Sequence, residues 1–94
     1  MDATLRGIVL KKLYELSTMS SLYLRGDLVL VVCGLAEVDF DRIVQQLLEA
    51  GLIEDESQYS YIFDKDMNAL KITQLGVDVV YKTKEPSIPI EFED

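Results

Sequence analysis

The sequence has no histidine and no tryptophan, and among its 94 residues only one cysteine and two prolines. Without histidine, the usual nucleophile–base triads and most zinc sites cannot be assembled. A lone Cys33 cannot form an intramolecular disulfide and fits a reducing, cytoplasmic setting. It lies in the most apolar stretch of the chain, where a thiol packs as core rather than reacting as a thiolate. The five glycines are isolated, so no phosphate-cradling loop is present. No apolar run reaches the roughly 18 residues of a transmembrane helix, and Met1-Asp2-Ala3-Thr4 lacks the basic start of a signal peptide. Cations are scarce too: nine Lys and Arg against seventeen Asp and Glu give a net charge of −8. The expectation is a non-catalytic protein with no cofactor, metal, membrane or small-molecule substrate.

What remains is a chain able to build one modest core. Its apolar content of 49% against 28% charged residues is that of a globular domain rather than a disordered one. The clearest element is the stretch from Val38 to Ile53. Phe40, Ile43, Val44, Leu47 and Leu48 recur at helical spacing and form one apolar stripe. Asp39 is a candidate N-cap. Gly51 stands where the chain must leave the helix with φ > 0, after which Leu52 and Ile53 fold back onto the stripe. Asp41, Arg42, Gln45, Gln46 and Glu49 form the opposite, polar face.

Upstream, a helix is expected from about Ala3 to Leu16, with Leu5, Ile8, Val9, Leu13 and Leu16 inward and Arg6, Lys11, Lys12 and Glu15 in water. Gly7 weakens that helix by roughly 1 kcal/mol relative to alanine, which points to a neighbouring backbone close by. Ser21 to Leu24 alternates as a short strand would. Residues 28–33 are unbroken and rich in β-branched valine, which favours a strand. Asp27 as N-cap and Gly34 as C-cap favour a helix instead, and helix is the reading adopted.

Downstream, Glu54 to Ser57 reads as an acidic loop. Gln58 to Phe63 reads as a strand, Asp64 to Asn68 as a turn and Ala69 to Thr73 as the returning strand. Gln74 to about Lys82 reads as a last helix with Leu75, Val79 and Val80 inward. Pro86 and Pro89 leave residues 85–94 as an extended acidic tail whose apolar members, Ile88, Ile90 and Phe92, are candidates for packing back or meeting a partner or a second copy.

The motif Leu47-Leu48-Glu49-Ala50-Gly51-Leu52-Ile53 is similar to the exit from the third helix of winged helix-turn-helix domains of the broad MarR or PadR sort. Leu70-Lys71-Ile72-Thr73-Gln74-Leu75-Gly76 resembles their passage from wing into last helix. Together the two motifs cover roughly residues 38–81. The resemblance implies an α+β fold: a three-helix core, a β-hairpin wing and a C-terminal helix, with residues 1–84 as the winged-helix domain. It also implies a small transcriptional regulator that binds duplex DNA as a homodimer. The residues placed for DNA contact are Arg42, Gln45 and Gln46 on the third helix, with Lys65 and Lys71 on the wing. Glutamine can pair with adenine, and arginine with guanine or a phosphate. Where such domains carry cations, this chain has four carboxylates and one arginine between Glu37 and Glu49. The alternative expectation is therefore an acidic winged helix that binds another protein and no DNA.

Overall fold

The computed structural model describes residues 2–18, 24–55 and 69–92. The chain is α+β, with helix α1 at Asp2–Ser17, strand β1 at Leu24–Arg25, α2 at Gly26–Cys33 and α3 at Glu37–Glu49. Strand β2 at Ile53–Asp55, β3 at Ala69–Ile72 and α4 at Gln74–Val80 complete it. The order is compatible with a winged helix. The strands form an antiparallel sheet in the order β1-β3-β2, with Leu24 opposite Leu70 and Ile53 opposite Ile72. No described helix is long and apolar enough to cross a membrane.

α1 is the central post of the core, packed against α2, α3, α4 and β3. It buries Val9, Leu10 and Leu13. The expected phase was partly off: Leu10 is core, whereas Ile8 is half-exposed and shares an open hollow with Lys11, Lys12 and Glu15. This helix has apolar residues on more than one side, and the three helices around it select which of them are buried.

Residues 28–33 are helical. The 3.6-residue period turns Val29, Leu30 and Cys33 toward the core and leaves Leu28, Val31 and Val32 outside. Tertiary packing thus overrides strand propensity. Gly34 ends α2 with a φ of 69°. The helix begins at Gly26, so Asp27 lies in its first turn rather than before it.

α3 buries Phe40, Ile43, Val44 and Leu47, and Leu48 packs at the margin. It starts two residues before Asp39. Ala36 holds the cap position without a side-chain bond, and the Phe40 N–H reaches the Ala36 carbonyl at 2.9 Å. At the other end Gly51, with a φ of 75°, and Leu52 close a two-bond cap. Their N–H groups donate to the carbonyls of Leu48 and Leu47, each at 3.1 Å.

The exit from α3 and the entry to α4 form one joint. Thr73 caps α4 by accepting from the Gly76 N–H at 3.1 Å, while its own hydroxyl donates to the Gly51 carbonyl at 2.7 Å. Its N–H donates to the Leu52 carbonyl at 3.1 Å. A side chain at Gly76 would collide with that same Leu52 carbonyl and with Ile72. The two sequence motifs are therefore two halves of a single contact.

Two expectations in and after the sheet change. Glu54 and Asp55, read as loop, belong to β2, because Ile53 anchors the strand against β3. The expected first wing strand at 58–63 lies outside the described residues, as does most of the stretch expected as a strand at 21–24. Leu75, read as inward, is 37% exposed, and Val77 packs on the core in its place.

The tail returns to the body. The Glu91 N–H donates to the Ala3 carbonyl at 3.0 Å, Arg6 Nη1 donates to the Pro89 carbonyl at 2.8 Å, and Ile90 and Phe92 pack against the core. This backbone is what Gly7 accommodates: a Cβ there would meet the Glu91 carbonyl.

Candidate functional site

Burial of one stripe of α3 turns Asp41, Arg42, Gln45 and Glu49 outward and leaves Gln46 half-buried beside α1. The cation on this face does not stand free. Arg42 donates from Nη2 to Asp2 Oδ1 at 3.0 Å and from Nη1 to Asp39 Oδ1 at 2.9 Å. Gln46 Nε2 donates to the other Asp2 oxygen at 3.2 Å, and Gln46 Oε1 accepts from Arg6 Nε at 2.7 Å. Gln45 Nε2 donates along its own helix to Glu49 at 3.2 Å.

These contacts shift the local titrations. The bonds from Gln46 and then Arg42 hold the Asp2 carboxyl below its ordinary value. Asp2 and Asp39 raise Arg42 further above neutrality. Burial pushes the Cys33 thiol up to about 11, so it is an uncharged core group at neutral pH. The ion pairs are solvent-exposed and contribute little to stability one by one. Their consequence here is that Arg42 carries little net field outward.

Beside this face, α3 and β2 border a shallow, open cleft of about 470 Å³ lined by Gln45, Leu48, Glu49, Ile53, Glu54 and Asp55. Its lining combines two aliphatic side chains with three carboxylates. On the sheet, Lys71 stands in register with Glu54. Such a cleft suits the aliphatic stem and charged head of a lysine or arginine. A phosphate meets a repulsive field there. Among the described residues no group of three His, Cys, Asp or Glu could hold a metal ion.

Of the residues expected to contact DNA, Arg42, Gln45 and Gln46 share the α3 surface, Lys71 lies on β3 and Lys65 lies outside the described residues. Ile90 and Phe92, expected to pack back or to meet a partner or a second copy, pack on this chain's own core, and Ile88 is half-buried.

Two features went unread in the sequence. Asp2 and Arg6 reach α3 across 40 or more positions, and no local pattern signals that. The outward row of α2, by contrast, could have been inferred. An unbroken apolar run that folds as a helix must show apolar side chains on both sides. No protein-family model, curated protein or solved structure matches the chain.

Proposed function

We propose that this chain is a non-catalytic winged-helix module that binds a basic segment of another protein across α3 and β2. The observation that carries this reading is the cleft where α3 meets the sheet. Glu49, Glu54 and Asp55 line it together with the aliphatic Leu48 and Ile53. The clamping of Arg42 between Asp2 and Asp39 supports it further, as does the net charge of −8. Long-range attraction then favours cationic partners and opposes nucleic acid.

A second reading, a regulator that contacts duplex DNA, is favoured by the exposed polar row of α3, where Gln45 faces solvent. One titration separates the two. At about 50 mM salt even non-specific DNA readers bind, so genomic duplex fragments are expected to show no shift at about 100 μM protein. An arginine-rich peptide is expected to bind, and to weaken when Glu49, Glu54 and Asp55 become glutamine and asparagine. A duplex shift that Arg42→Ala abolishes would replace this reading with the DNA one.

A further inference from the structure

Leu28, Val31 and Val32 on α2 and Val38 in the first turn of α3 are exposed by 46%, 76%, 39% and 73%. Residues 28, 31 and 32 recur at helical spacing and make an apolar face of α2 outside the core, and Val38 is exposed just beyond the Gly34 turn. Scattered exposed aliphatics need no explanation, but a grouped row marks a contact surface.

Three occupants come into question. The chain's own tail is already placed, with Ile90 and Phe92 on the core. A second copy brings another net charge of −8 to the same place. Four aliphatic side chains also offer only a few hundred Å², below the roughly 800 Å² that each partner buries in a stable interface. A different protein can enlarge the contact by continuing along α3. The exposed charges it meets there first are Glu37 and Asp41, beside Asp39 already held by Arg42. Lys12, on α1 beside Cys33 at this same end of α2, is paired with Glu15 at 3.6 Å.

We infer that the α2 face is a docking surface for an amphipathic helix of another protein. The apolar ridge of that helix covers Leu28, Val31, Val32 and Val38, and its lysines or arginines lie against Glu37 and Asp41. This inference rests on the protein-binding reading above and concerns a different surface from the α3–β2 cleft. Helix recognition of this kind uses anchors at i, i+3 or i+4 and i+7, which an apolar row on a single helix can match.

The test uses two dye-labelled synthetic helices of about 18 residues, or five turns. They share one leucine face and carry lysine or glutamate on the other. Anisotropy is expected to show the lysine helix binding and the glutamate helix not. Val31→Asp and Val38→Asp are each expected to weaken binding about tenfold or more. Both positions face solvent, so circular dichroism should match the parent, and Val31→Ser should move the affinity in the same direction. Binding of the lysine helix unchanged by Val31→Asp overturns the inference; if the Glu49, Glu54 and Asp55 substitutions abolish that binding, the cleft reading survives alone. Equal binding of the glutamate helix also overturns it. So does a concentration-dependent dimer in light scattering that Val31→Asp dissolves, since a second copy then covers the face.

Discussion

Lys82 holds a backbone conformation that its side chain disfavours. Its φ is 64°, and its N–H and that of Thr83 close the end of α4 on the carbonyls of Val79 and Asp78, at 3.0 and 2.9 Å. The same two-bond cap ends α3, where the position is Gly51. A left-handed conformation costs an L-residue roughly 1–2 kcal/mol, part of which glycine returns as unfolded-state entropy. Lys82→Gly is therefore expected to raise stability by about 0.5–1 kcal/mol in urea unfolding. A neutral or destabilising result would mean that the lysine side chain makes a contact worth more than the strain. Asp2 supplies a pH-dependent counterpart. Its carboxyl is held below the ordinary value by Gln46 and Arg42. A depressed folded-state pKa contributes stability that is complete above the unfolded value near 3.9 and lost as pH falls through the folded value. Asp2→Asn should thus melt lower than the parent at pH 7, and the gap should close as the pH falls through the lowered folded-state value. A gap that persists unchanged at low pH would remove the carboxylate as its cause.

At the scale of elements, the contact between tail and α1 is where one missing side chain decides the packing. Gly7 lets the Glu91 backbone lie on the helix, with Thr4 Oγ1 donating to the Glu91 side chain at 3.1 Å. Gly7→Ala should destabilise the full chain by about 1–3 kcal/mol through overpacking. In a variant lacking residues 86–94 the same change should instead stabilise by up to about 1 kcal/mol, since alanine is the better helix former. The sign reversal between backgrounds is the readout, by urea unfolding. Equal effects in both would place the tail elsewhere in solution. The sequence did point here: a glycine inside an otherwise regular helix needs a neighbour to account for it.

For the whole molecule, legibility followed the range of the interactions. The phase of α3, the Gly51 exit and the Thr73–Gly76 entry to α4 were readable because each depends on residues within a turn or two. What was misread depended on distant partners. Ile8 and Leu10 point to opposite sides of α1, and only the helices packed around α1 decide which side is buried. Asp39 was a plausible cap until Ala36 and Glu37 were seen to begin α3 earlier, which left Asp39 to face Arg42. The acid of β2 looked like loop because nothing local shows that Ile53 pairs with Ile72. For the candidate site, the residue types on α3 were legible. That Asp2 and Arg6 engage them was not, and neither was the cleft between Glu49 and Asp55. Charge, a property of the whole chain, anticipated the acidic character of that cleft before any contact was visible.

The bond from Glu91 to the Ala3 carbonyl also has a mechanical meaning. It brings the two ends of the described chain side by side, with Arg6 reaching Pro89 as a second tie. A pull on those ends does not load the core in shear. It opens the tail from α1 one tie at a time, as a zipper opens, and each tie breaks before the next bears tension. Stretched from its ends, the molecule should lengthen first by the tail alone at low force, while the Thr73–Gly51 joint and the sheet stay closed.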